Sequence, residues 1–251
     1  MRVTRQGFRR GRRRRSRARV MTDAPLVISE IFGPTFQGEG PQLGQRCGFV
    51  RLGRCNLACE FCDTAYSWDW TRFDPREELS EQSVDAVVAR LATMGIDTVI
   101  ITGGEPLLQQ QRLVPLIGEF RRLNWKTSVE TAGTLAWDAD PRLVDQWVVS
   151  PKLANSGMSA QRRLHYDVLT KFATAGAAFK FVVVELGDLD EVENIVRSAG
   201  VPTSNVWVMP EGTSAPVVAK RTAELADSVL KRGWNLTTRL HVLAWGNTRG
   251  R

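Results

Sequence analysis

Three of the chain's four cysteines fall within eight residues, Cys55, Cys59 and Cys62, in the run CNLACEFC. Thiolates this close select soft metals, and the realistic candidates are zinc and an iron-sulfur cluster. A closed zinc site wants four protein ligands. Only His165, His241 and Cys47 remain to supply the fourth, and none stands at the usual paired spacing from the motif. A four-iron cluster on three cysteines leaves one iron without a protein ligand, open to a substrate or cofactor. The other reading, three cysteines packed as small apolar residues, sits poorly with the flanking Asn56, Glu60 and Asp63. Cys47, eight residues upstream in an apolar run, reads as such a buried residue rather than a ligand.

The elements that must hold this loop alternate along the chain. LVISEIF (26–32) and GFVRL (48–52) read as strands. SEQSVDAVVARLATMG reads as a helix with Ser80 as N-cap, Val84, Val87, Val88 and Leu91 on one face, and Gly95 as its stop. DTVIITGG, KTSVET, QWVVSPK, AAFKFVVVEL and NVWVMP follow as strands. LLQQQRLVPLIGEFRRL, DLDEVENIVRSAG and SAPVVAKRTAELADSVLKRG are the helices among them. The runs VIIT, WVVS and KFVVV are continuously apolar, as parallel strands buried on both faces require. Alternation over some 200 residues predicts an α/β barrel or partial barrel. In such folds the chemistry gathers at the C-terminal ends of the strands. Those ends here carry RLGRCNLAC, ITGGEP, VET, SPK and WVMPEG, dense in Gly, Pro, Cys and charge.

Length and composition agree with one catalytic domain over residues 22–251. The chain has 251 residues, 43% hydrophobic and 24% charged, and no apolar run approaches the ~18 residues of a membrane span. The formal charge of +7 is uneven: ten arginines and no acid lie in the first 20 residues, and without them the charge becomes −3. Residues 1–21 therefore read as a basic, disordered tail with no part in the chemistry. Its other readings are a nucleic-acid or anionic-surface tether, a targeting segment, or an extension ahead of the second methionine, Met21. Four cysteines, three of them crowded together, do not make a secreted disulfide framework and point to a reducing cytoplasm.

The C-x3-C-x2-C loop, with aromatic Phe61 before its last cysteine, resembles that of the radical S-adenosylmethionine enzymes. TGGEP at residues 102–106 resembles their second hallmark, a glycine-rich strand end that holds the cofactor's methionine amine. Glycines let backbone carbonyls approach an ammonium group closely, and Glu105 would add negative charge. Within that superfamily, EIFGPTFQGEG (30–40), FVRLGRCNLACEFCDT (49–64), VET (129–131), SPK (150–152) and RLHVLAWGNTRG (239–250) resemble the 7-carboxy-7-deazaguanine synthase family. The likeness runs from about residue 26 onward and leaves out the arginine tail. VWVMPEG matches less closely and carries no residue assignment.

The resemblance implies a partial (β/α)6-type TIM barrel, modified and compact. It also implies a lyase of queuosine and 7-deazapurine biosynthesis that converts 6-carboxy-5,6,7,8-tetrahydropterin to 7-carboxy-7-deazaguanine with loss of ammonia. The cofactors implied are a 4Fe-4S cluster on Cys55, Cys59 and Cys62, S-adenosylmethionine, and Mg2+ at Thr64. Phe61, Asp63, Gly104, Glu105, Glu130, Ser150, Pro151 and Lys152 fall to S-adenosylmethionine. Phe36, Gln37, Gly38, Glu39, Arg51, Thr102 and His241 fall to the substrate, with Arg51 gripping its carboxylate. No protein group is assigned a catalytic role, since the cofactor generates the radical. The partners implied are a flavodoxin- or ferredoxin-like electron donor and a second copy in a homodimer, with no membrane and no nucleic acid. The rivals are a glycyl-radical-enzyme activating enzyme, which shares both hallmarks, and an iron-sulfur or zinc protein that binds nucleic acid through the tail.

Overall fold

The computed structural model describes residues 24–251, so the arginine-rich tail and the readings that concern it lie outside the described residues. β1 (Leu26–Phe36) and β2 (Arg46–Leu52) pair antiparallel around the QGEG turn. Between β2 and the next parallel strand come α1 (Pro75–Glu78), β3 (Ser80–Gln82) and α2 (Val84–Ala92). Next are β4 (Thr98–Gly103), α3 (Gln110–Arg122), β5 (Lys126–Thr131) and β6 (Gln146–Val149). α4 (Ala160–Arg163) and α5 (Tyr166–Thr174) lead to β7 (Ala178–Val183), and α6 (Asp188–Ala199) leads to β8 (Val206–Pro210). α7 (Ala215–Lys231), β9 (Asn235–Leu236) and α8 (Leu240–Trp245) follow. The strands form one sheet in the order β3-β1-β2-β4-β5-β6-β7-β8-β9, parallel from β2 onward.

The sheet does not close. Six parallel strands, β2 and β4 to β8, form the partial barrel. It is compact because the β5–β6 crossover has only a single helical turn at Pro141–Leu143. The central strands are buried as their composition demands: Val99, Ile100, Ile101, Val149, Phe179 and Phe181 are fully enclosed. Each such side chain contributes about 1.5–3 kcal/mol of transfer free energy. Cys47 on β2 is among them at 0% exposure, and burial pushes its thiol up to about 12. None of the described helices is long and apolar enough to cross a membrane.

One boundary differs from expectation. Ser80 does not cap α2, because Ser80–Gln82 is extended and pairs with Leu26–Ile28 as an edge strand. The cap is Ser83, whose hydroxyl accepts from the Ala86 amide at 3.2 Å. The apolar face of α2 is as expected, with Val87 and Leu91 fully buried. The edge is pinned to the interior by Gln109. Its side-chain amide accepts from Val27 N at 2.8 Å and donates to Val27 O at 3.0 Å. The parallel strands all end on one side of the sheet, where the cavity opens.

Candidate active site

A cavity of about 480 Å³ sits over the C-terminal strand ends, a size suited to a small-molecule ligand. One wall is the loop after β2, with Cys55, Phe61, Cys59 and Cys62 lining it. The thiols carry donors of the kind that tune cluster sulfurs. Leu57 N donates to Cys55 Sγ at 3.4 Å, Trp68 Nε1 donates to Cys62 Sγ at 3.2 Å, and Thr64 Oγ1 lies 3.7 Å from Cys62 Sγ. Burial, reinforced by Glu105 and the neighbouring thiols, pushes Cys55 up to about 12, so a thiolate there needs a metal beside it. Among the described residues no three Cys, His, Asp or Glu side chains converge to hold a single ion. Cys55, Cys59 and Cys62 are the residues that would hold a cluster.

The turn after β4 presses against the base of that loop. Gly103 has φ +140° and lies so close to β2 that an added Cβ would sit 2.2 Å from Leu52 O. At Gly104 an added Cβ would sit 2.0 Å from Arg54 O and 3.0 Å from the Cys55 Cβ. Two amides complete the lacing, Gly104 N to Leu52 O at 3.1 Å and Glu105 N to Arg54 O at 2.9 Å. Only glycine lets backbone meet backbone this closely.

Glu105 corrects an expectation, because it does not face the cavity. It is 0% exposed and its carboxylate is consumed internally. It accepts from Leu107 N (3.0 Å), Thr131 Oγ1 (2.8 Å) and Ala132 N (2.8 Å), capping the turn before α3 and tying it to the end of β5. Burial raises its pKa, against the pull of those donors. Pro151 is likewise buried and lines no part of the cavity. Its neighbours do line it: Lys152 Nζ donates to Ser150 Oγ at 3.1 Å. The Lys152 charge pulls against the upward push of burial on Cys59.

The QGEG turn, with the residues that hold it, lines the cavity as well. Gln37 Nε2 donates to Glu130 Oε1 at 3.0 Å, and Thr102 Oγ1 donates to Glu130 Oε2 at 2.9 Å. Lys180 Nζ donates to Glu39 Oε2 at 2.5 Å and stands 3.6 Å from Glu130 Oε1. Arg239 Nε donates to Glu39 Oε1 at 3.1 Å, while its Nη2 pairs with Asp63. Burial alone would raise the Glu39 carboxyl, but Lys180 and Arg239 hold it well below the carboxylate range. Gly38 backs onto His241, where an added Cβ would lie 2.0 Å from Nδ1. Burial lowers the His241 pKa against the opposing pull of Glu39, which leaves the ring neutral at pH 7. Phe36 stacks on Trp245 at the rim, ring centroids 6.2 Å apart.

Arg51 also lines the cavity, though not as a free cation. Its Nε donates to Glu30 Oε2 at 2.9 Å, and its side chain is 16% exposed. The same carboxylate accepts from Tyr66 OH at 2.8 Å and, through Oε1, from Arg249 Nε at 2.5 Å. Arg249 lies over the Tyr66 ring at 3.8 Å and also pairs with Glu78.

Apart from Glu105 and Pro151, every site residue expected from the sequence lines this one cavity. Lys180, Arg239 and Glu30 were not anticipated. For Lys180 there was a signal: a charge inside the apolar run AAFKFVVVEL must find a partner. Met209 and Glu211 of the unassigned VWVMPEG also line the cavity, as do residues 247–251.

The chain is similar to known proteins. Residues 50–151 match the family model of the Radical SAM superfamily. A 7-carboxy-7-deazaguanine synthase of Pyrobaculum aerophilum is 37% identical over 235 residues, covering 92% of this chain and 100% of its own length. One from Halobacterium salinarum is 35% identical over 252 residues, covering 90% and 93% respectively. The crystal structure of QueE from Escherichia coli has the same fold, with TM-score 0.66 at 23% identity over 86% of this chain and 95% of that one.

Proposed function

Since the chain belongs to the 7-carboxy-7-deazaguanine synthase family of radical S-adenosylmethionine lyases, we propose that it converts 6-carboxy-5,6,7,8-tetrahydropterin to 7-carboxy-7-deazaguanine with loss of ammonia. The observation that carries this is that the three cysteines, Arg51 and the QGEG turn all line one cavity. Held by these residues, a 4Fe-4S cluster and S-adenosylmethionine would supply the radical chemistry that the ring contraction needs.

The chain's own residues bind, orient and exclude water. Cys55, Cys59 and Cys62 would hold the cluster. Gly104, Glu130, Ser150 and Lys152, with Phe61, border the space for S-adenosylmethionine, while the Asp63 carboxylate is taken up by Arg239. Arg51, fixed through Nε by Glu30, can offer its Nη groups to the substrate carboxylate as a two-pronged donor. Gln37, Thr102 and Glu130 form a bonded acceptor-donor edge suited to a flat amide-like ring. Neutral His241 can donate or accept at its two nitrogens. Thr64 offers Mg2+ one hydroxyl, so the ion would bind well only with substrate oxygens completing its shell. A flavodoxin- or ferredoxin-like reductant, a homodimer, a cytoplasmic setting and a tail that is dispensable for activity complete the proposal.

The test is anaerobic reconstitution of the full chain with iron and sulfide, then reduction with S-adenosylmethionine, Mg2+ and 6-carboxytetrahydropterin, with products read by mass spectrometry. Formation of 7-carboxy-7-deazaguanine, lost in Cys59→Ala, is expected. Cleavage of S-adenosylmethionine with the pterin untouched would overturn the substrate and favour an activating enzyme that acts on a protein glycine.

A further inference from the structure

Arg239 bonds both the QGEG turn and the cysteine loop. Its side chain is 6% exposed, and each nitrogen of its fork serves a different segment. Nε binds Glu39 of the QGEG turn at 3.1 Å, Nη1 binds the Gly212 carbonyl after β8 at 2.7 Å, and Nη2 binds Asp63. Asp63 lies between Cys62 of the cysteine loop and Thr64, while Glu39 lies beside Gly38, against which His241 packs. A guanidinium is planar and its donors are fixed relative to one another, so the spacing of the two carboxylates is fixed with it. A lysine in the same place could satisfy one carboxylate but has no rigid fork with which to hold two.

We propose that Arg239 is a positioning residue that locks the substrate-side turn to the Cys62–Asp63–Thr64 segment, so that radical generation is coupled to a correctly seated substrate. This rests on the proposed function. Each loop also has a closing bond of its own, Gln37 N to Gln45 O at 2.8 Å in the QGEG turn and Arg54 N to Ser67 O at 2.7 Å in the cysteine loop. What Arg239 adds is their registration. Without it, S-adenosylmethionine should still bind and be cleaved, with the radical spent on side reactions rather than on C6.

The experiment uses the reconstituted full-length enzyme and its Arg239→Met, Arg239→Lys, Asp63→Asn and Arg239→Met/Asp63→Asn variants. The readout is 5′-deoxyadenosine released per 7-carboxy-7-deazaguanine formed at saturating substrate. The ratio should rise at least tenfold in Arg239→Met and Asp63→Asn and no further in the double variant, because both break the Arg239–Asp63 pair that ties the two segments together. Arg239→Lys, which keeps the charge and the methylenes, should stay folded and still show a raised ratio. Hydrogen exchange gives an independent reading: adding substrate should protect residues 60–64 in the wild type and not in Arg239→Met. An unchanged ratio in Arg239→Lys and Arg239→Met, with both products falling together, overturns the proposal, as does an effect in the double variant that is the product of the single effects. If the wild type cleaves S-adenosylmethionine but forms no 7-carboxy-7-deazaguanine, the functional reading fails, and this inference with it. A wild type that makes product alongside variants with unchanged ratio sinks this inference alone.

Discussion

Lys180→Met tests whether the buried charges over the cavity are held as described. Methionine keeps the length of the side chain and removes only the ammonium that bonds Glu39 Oε2 at 2.5 Å and faces Glu130 Oε1 at 3.6 Å. Breaking one side of a buried ion pair costs about 3–5 kcal/mol, because the other charge stays behind. Glu39 retains Arg239, and Glu130 retains Gln37 and Thr102, so the lower end, about 3 kcal/mol, is expected. For a chain of this size that lowers Tm by about 6–12 °C. The pH dependence carries a sign. In the wild type the Glu39 carboxyl is held below its ordinary 4.5, so its contribution is complete above that value and lost as pH falls below it. In Lys180→Met burial is less well opposed and the carboxyl moves up, so the deficit should shrink between pH 7 and pH 5. Urea and thermal unfolding at both pH values measure this, and Lys180→Met/Glu39→Gln should recover at least half the loss. A deficit below about 1 kcal/mol, one that fails to shrink on acidification, or a double variant weaker than the single would refute the reasoning.

Three further outcomes are expected. Arg51→Met should cut kcat/KM by roughly 100-fold, chiefly through KM, because a charge-assisted grip on a carboxylate is worth about 3 kcal/mol; steady-state kinetics over substrate concentration check it. Gly104→Ala should leave the chain folded but lose most of its iron and sulfide on reconstitution, since the new Cβ would sit 2.0 Å from Arg54 O and must push the cysteine loop away; metal analysis reads it. Glu105→Ala should cost about 2–4 kcal/mol in urea unfolding, because the Leu107 and Ala132 amides and the Thr131 hydroxyl lose one buried acceptor together.

The parts of the fold that were legible are those where a local pattern and the global structure demand the same thing. VIIT, WVVS and KFVVV are apolar throughout because parallel strands with both faces covered have no solvent side, and β4, β6 and β7 lie there. Ser80–Gln82 was misread because three polar residues ahead of an amphipathic run look like a helix start. Their pairing with Leu26–Ile28 is settled by an edge some fifty residues away in sequence, not by their own composition. β9, two residues long, has no periodicity to detect. Glu105 was placed correctly in a turn but given the wrong direction. Its motif fixes where the backbone goes, and the amides of Leu107 and Ala132, which claim the side chain, come from the fold around it.

The site divides along the same line. Cys55, Cys59, Cys62 and the glycines of TGGEP declare themselves because their chemistry depends on short spacings. The cations that make the QGEG turn workable do not, since Lys180 and Arg239 stand 141 and 200 residues from Glu39. A glutamate in a glycine-rich turn reads as a surface charge until the turn is known to be buried. A buried carboxylate then demands a cation, and the only place to look is where another strand has broken its own rule. Lys180 does so, as the charge that interrupts the apolar run of β7, 5% exposed. An acid that the motif places over the strand ends and a base that interrupts a buried strand are each unfavourable alone. Each accounts for the other, and that pairing rule is the route by which a distant half of such a site can be sought from sequence.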